Sequence, residues 1–219
     1  MWGSARVREV ALLASPLLII AAGHLAARMA TDMNARAAWP WVAVVYWGLI
    51  AIAISLATGA GQRRAWFRPS ARRPAWVWIA GLALGLFPMA GILALNFGLV
   101  AQYPAVFAAV LAFAILNPVF EEAYWRGLLL DAGRRWPFWV IVLYSTVLFV
   151  AGHPLMWGVF SIGNRSPMLY ATLFVMGFAW AYMRRATGSL RFPVLSHALV
   201  DVGNLSVFVF LNLYVPPGL

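Results

Sequence analysis

Seven runs of about 20 apolar residues, separated by short arginine blocks, set the terms for this chain. A helix of that length rises about 30 Å, the thickness of a bilayer's hydrocarbon core. The runs fall at 8–28, 39–59, 75–97, 105–130, 138–153, 168–184 and 192–215. They are continuous rather than alternating, which excludes a porin-type barrel. Only 10% of residues are charged, against about 25% in a soluble domain. The absence of cysteine removes a disulfide scaffold, and the apolar content removes disorder. The expectation is an all-α polytopic transmembrane helical bundle of about seven to eight spans, one membrane domain over 1–219. Within it, 1–104 supplies N-terminal spans and 105–215 a core that carries the polar motifs. The uncertain eighth crossing is 154–167, which is apolar but interrupted by Gly and Pro.

The net charge of +10 is all arginine, with no lysine. Its placement argues for membrane topology and against nucleic-acid binding. Arg6 and Arg8 precede the first span; Arg63, Arg64, Arg68, Arg72 and Arg73 fill the second connection. Arg134 and Arg135 fill the fourth, and Arg184, Arg185 and Arg191 the sixth. The other side holds only Arg28, Arg36 and Arg165. The positive-inside rule therefore predicts a cytoplasmic N-terminus and an external C-terminus. The lack of lysine fits GC-rich coding and a bacterial plasma (inner) membrane. The first run is too long for a signal-peptide core, and no cleavage site follows it.

Charged groups near the bilayer centre cost several kcal/mol and are functional candidates by default. Of six acids, Glu9, Asp32 and Asp131 sit near span ends and need no special explanation. Glu121, Glu122 and Asp201 lie inside spans, as do His153 and His197. Glu122 and Arg126 are one turn apart and can pair, either as a buried tie between helices or as part of a site. Glu121 points about 100° away from Glu122 and has no evident local partner. Pro118 removes a backbone bond just before the acids. His197 and Asp201 share a helix face, and Asn204 nearly continues it. His24 has no acidic neighbour at helical spacing and reads as structural. At about 1.5 Å per residue, Glu121 lies about 18 Å and His153 about 24 Å from the turn at 133–137. Those depths allow one polar cluster.

Glu121-Glu122-x-x-x-Arg126, Phe149-x-x-x-His153 and His197-x-x-x-Asp201 resemble, in order and spacing, the three motifs of the CPBP family. That family holds the type II CAAX prenyl endopeptidases and the bacterial Abi-type proteases. The resemblance covers 121–201; the first hundred residues add only apolar spans. It implies a glutamate-dependent intramembrane endopeptidase in which Glu121 and His153 activate water. His197 and Asp201 would polarise the scissile carbonyl and its oxyanion, and Glu122 with Arg126 would complete the site. The family often has Asn where this chain has Asp201. An ionised aspartate cannot donate to an oxyanion, so Asp201 must be protonated, orient His197, or leave the donation to Asn204.

Peptide hydrolysis needs a base, an acid and oxyanion donors, and these residues supply all three types. Thiol catalysis is excluded by composition. No cofactor is expected; zinc held by Glu121, His153, His197 and Asp201 is the second reading, weakened by the lack of a His-Glu-x-x-His helix. A proton-coupled transporter would use similar groups, but no internal repeat is present. A catalytically silent membrane scaffold is the third alternative. The expected partners are membrane lipid and a membrane-embedded or lipid-anchored protein or peptide, cut near its terminus. The substrate and the oligomeric state are not specified by these residues.

Overall fold

The computed structural model describes residues 2–214, with the side chains of 2–5, 88, 91, 92, 99, 100, 106 and 204–214 outside the described set. Every element in it is helical. Helix α1 (Trp2–Asn34) turns through a 3-10 segment at Ala35–Ala37 into α2 (Ala38–Ala57), and the two pack along each other. Asn34 makes the corner by accepting from the amides of Arg36 and Ala37 at 3.1 and 3.3 Å. On α2 the buried residues Ala43, Tyr46, Ile50, Ile54 and Ala57 recur every three or four positions, one stripe facing the core.

A short α3 (Ala60–Trp66) leads to α4 (Ala75–Pro88), a π-turn at Met89–Leu93 and α5 (Ala94–Ala101). Then α6 (Pro104–Glu121) runs through Pro118 into a second π-turn, Glu122–Leu128, and ends as α7 (Leu129–Ala132). Helix α8 (Phe138–Leu155) passes Pro154 by one residue. After two 3-10 turns at Trp157–Val159 and Ile162–Arg165 come α9 (Pro167–Thr187) and α10 (Arg191–Tyr214). Gly188, at φ 69°, closes α9 in the left-handed conformation that glycine adopts without strain.

Each run expected from the sequence is helical, and the ambiguous stretch 154–167 holds two 3-10 turns, each too short to cross a bilayer. Residue 215, the expected end of the last span, lies outside the described residues. Among the described residues, three stretches are long and apolar enough to cross a membrane: Arg6–Ala57, Phe107–Ala132 and Phe138–Val159. The first contains both α1 and α2. Ala75–Phe87 is apolar but shorter.

Helix α10 lies against both α4 and α6. It comes so close to the first π-turn that a Cβ on Gly203 would sit 2.4 Å from the Cα of Met89. Helices α8 and α9 pack together on another side, and α1 reaches α7 and α8. His24 bonds the Leu155 carbonyl at 2.6 Å, a tie between α1 and α8 in keeping with its structural reading. Large apolar side chains cover much of the outside, and a few charged ones lie within an apolar core. Leu56, Phe87 and Leu95 are more than 80% exposed, while Glu121, Glu122, Arg126 and His197 are at most 3% exposed. Apolar side chains outward and charges inward suit hydrocarbon as solvent; this is a membrane protein.

Candidate active site

The second π-turn sets the geometry. Such a turn inserts a residue into a helix and shifts the bonding from i→i+4 to i→i+5. Side chains catch the carbonyls in it. Ser145 of α8 donates to the Trp125 carbonyl at 3.0 Å, and Arg184 of α9 donates to the carbonyls of Arg126 and Gly127. The turn's residues, Glu122 to Leu128, are buried throughout. Pro118 lies a turn upstream and leaves α6 continuous, so the distortion comes after the acids begin rather than before them.

From this turn Arg126 donates to Glu122 Oε1 at 2.9 Å. His197 of α10 meets the same oxygen through Nδ1, also at 2.9 Å. Its Nε2 faces Glu121 Oε2 at 3.4 Å and Asp201 Oδ1 at 3.5 Å. Both ring nitrogens therefore face acceptors, an arrangement that suits an imidazolium with two donors. Trp180 stacks on the His197 ring with centroids 4.3 Å apart. The Arg126 guanidinium lies 4.4 Å from the centre of the Phe149 ring and 5.1 Å from that of Trp180. Glu122 Oε2 and Arg126 Nη2 have no hydrogen-bond partner among the described residues.

The pairing expected for Glu122 and Arg126 is present, but neither residue lines the cavity beside the cluster; they lie behind His197 and hold its Nδ1 edge. That cavity, of about 70 Å³, is lined by Asn117, Glu121, His153, His197 and Asp201 on its polar side. Trp39, Phe113, Trp157 and Phe160 are among its apolar lining, and Ser161 and Asn164 also border it. A water needs at least about 10–15 Å³ of such space and two to four polar partners, so this volume and lining can hold one. His153 Nδ1 meets the Phe149 carbonyl at 2.9 Å. A carbonyl can only accept, so Nδ1 carries the hydrogen, and in the neutral ring Nε2 keeps the lone pair.

All six residues singled out in the sequence meet in one region, with His153 joined to the others through the cavity and the Phe149 ring. The Asn204 side chain lies outside the described residues. Among the described residues, no three His, Cys, Asp or Glu side chains are grouped to hold a metal ion.

Three neighbours of the cluster were not legible in the sequence. Asn117 Nδ2 donates to Glu121 Oε2 at 3.3 Å and Asp201 Oδ2 at 3.0 Å. Trp47 Nε1 donates to Asn117 Oδ1 at 3.0 Å. Tyr46 lies beside Glu121 and accepts from Trp125 Nε1 at 3.0 Å. Asn117 sits one turn before Glu121, a spacing that could have marked it. Tyr46 and Trp47 come from α2, where they look like ordinary apolar-span aromatics.

Asp131, set aside in the sequence reading as a span-end acid, is a second polar centre. Its Oδ1 accepts from Arg184 at 2.6 Å and Arg134 at 3.0 Å. Its Oδ2 accepts from Trp66 at 2.9 Å and Gln62 at 3.1 Å.

Residues 101–203 match the family model described as Type II CAAX prenyl endopeptidase Rce1-like. A protein of Escherichia coli described as "Uncharacterized 24.3 kDa protein" is 32% identical over 97 residues, 43% of this chain. That match spans 41% of the relative's own length. No solved structure matches.

Proposed function

We propose that this chain is an intramembrane endopeptidase using glutamate- and histidine-activated water, a reading supported by the match of residues 101–203 to the family model described as Type II CAAX prenyl endopeptidase Rce1-like, a protease family. The observation that carries the reading is the shared cavity: Glu121, His153, His197 and Asp201 line one buried space large enough for water.

In the proposed reaction Glu121 takes a proton from the cavity water at Oε1, since Oε2 already meets Asn117 and His197. His153 accepts the water's other hydrogen at Nε2 and aims it. The water oxygen bonds to the scissile carbonyl carbon, and the carbonyl oxygen becomes an oxyanion. His197 Nε2–H donates to that oxyanion, its ring fixed from behind by Glu122 and Arg126. Collapse breaks the C–N bond, and Glu121 passes its proton to the leaving amine. The products are a carboxyl terminus and a free amine. Asp201 orients His197 in this scheme and does not serve as an oxyanion donor, which agrees with its place at 3.5 Å from Nε2.

The substrate is a membrane-embedded or lipid-anchored protein or peptide, cut near its terminus. The apolar lining of the cavity and the lipid-facing exterior support that class. No metal or other cofactor takes part. The chain crosses a bacterial plasma membrane seven times, with the N-terminus in the cytoplasm, as the arginine blocks imply.

Purified protein in lipid nanodiscs, mixed with prenylated and unprenylated membrane-anchored peptides, tests this by mass spectrometry of the products. One internal cut, insensitive to chelator, is expected. Activity lost to chelator and restored by zinc overturns the metal-independent mechanism. No cleavage of any anchored peptide overturns the enzymatic reading.

A further inference from the structure

We infer that Asn117 is a positioning residue of the site: its amide, oriented by Trp47, ties the carboxylates of Glu121 and Asp201 together and holds Glu121 by its Oε2. The inference rests on the endopeptidase reading.

The orientation of the amide follows from chemistry. An indole N–H can only donate. Trp47 Nε1 lies 3.0 Å from one end of the Asn117 amide, so that end is the oxygen. Nδ2 then faces the other way, toward Glu121 Oε2 at 3.3 Å and Asp201 Oδ2 at 3.0 Å. An amide nitrogen has two hydrogens, and here it has two carboxylates. The side chain is 5% exposed, so bulk solvent does not compete for these bonds. Trp47 is itself held, stacked on Phe120 with centroids 5.5 Å apart and an interplanar angle of 11°.

Two consequences follow. Glu121 and Asp201 both approach His197 Nε2 and repel each other as like charges; the amide between them relieves that repulsion. In addition, the Asn117 and His197 contacts both fall on Oε2 of Glu121 and pin the carboxylate by that oxygen, with Tyr46 beside the same group. The same arrangement gives α2 a part in the site. Trp47 never touches the cavity, yet it sets the amide that sets the carboxylate.

The test uses full-length protein in nanodiscs, with kcat, KM and the thermal midpoint measured on one cleavable anchored peptide. Asn117→Asp keeps the shape and replaces the donor with a third carboxylate. It is expected to lower kcat by about 100-fold, with KM nearly unchanged. Trp47→Phe keeps the ring and frees the amide to turn over, and is expected to lower kcat by about threefold. The swap Asn117→Asp with Asp201→Asn again sets an amide against a carboxylate and is expected to recover about tenfold over Asn117→Asp alone. Wild-type kcat in either single variant overturns the inference, as does a folded swap no better than Asn117→Asp. Should Asn117→Asp fail to fold, Trp47→Phe decides by the same criterion. A purely structural role would lower the midpoint and spare kcat. Wild type that cleaves while Glu121→Gln does not upholds the endopeptidase reading whatever Asn117→Asp does, so the two failures are separable.

Discussion

Two acid-centred clusters tie the helices of the second half together, and they are built on different principles. Asp131 has both oxygens filled, by Arg184, Arg134, Trp66 and Gln62, at distances from 2.6 to 3.1 Å. Glu121 meets Asn117 and His197 at the longer distances of 3.3 and 3.4 Å through one oxygen, has Tyr46 beside it, and borders a cavity. A carboxylate with every lone pair used can only hold structure. A carboxylate with capacity left over, beside a space that fits water, can do chemistry. Arg184 links the two, since it bonds Asp131 and also the π-turn carbonyls behind Glu122.

The contrast predicts separable phenotypes. His153→Ala breaks the cavity side: cleavage falls by about 100-fold or more, with an unchanged thermal midpoint in detergent. Asp131→Ala breaks the saturated side. It leaves Arg184 Nη2 and the Trp66 indole without their acceptor and costs about 3 kcal/mol of stability, while the folded fraction keeps its kcat. Equilibrium unfolding and active-site-normalised kinetics distinguish the two.

Gly177→Ala probes the join between them. Its Cβ would fall 2.6 Å from Thr146 Cγ2 and 3.2 Å from Arg126 Nη2. Overpacking of this kind costs about 1–3 kcal/mol, and displacement of Arg126 lowers kcat as well, so both readouts move. The smallest effect is Ser145→Ala, which removes the donor to the Trp125 carbonyl in the π-turn. About 1 kcal/mol is expected, measured as a shift in the unfolding midpoint.

The sequence revealed the helices because hydrocarbon thickness imposes a length and a composition on apolar runs, and among the described residues Arg6–Ala57, Phe107–Ala132 and Phe138–Val159 meet it. It revealed Glu121, His153, His197 and Asp201 because charge in such runs is expensive and has to be explained. The same rule hid Asn117 and Trp47, whose polar atoms are neutral and cheap enough to pass as ordinary span residues. Asp131 was hidden by position: an acid at a span end looks solvated until Trp66 and Gln62 of α3 fold back onto it. Arg184 read as a topology marker, and nothing in a linear pattern shows that its guanidinium turns inward to the π-turn. The π-turn itself leaves no periodic trace, because an inserted residue in a buried, apolar helix changes neither hydropathy nor spacing enough to register.

The most direct measurement is the initial rate of cleavage of a membrane-anchored peptide by Glu121→Gln beside wild type, each in nanodiscs and each checked for an unaltered thermal midpoint. The substitution keeps the volume of the side chain and removes the base. A loss of about 1000-fold is predicted. A glutamine variant that cleaves at the wild-type rate would contradict a reaction begun by this carboxylate.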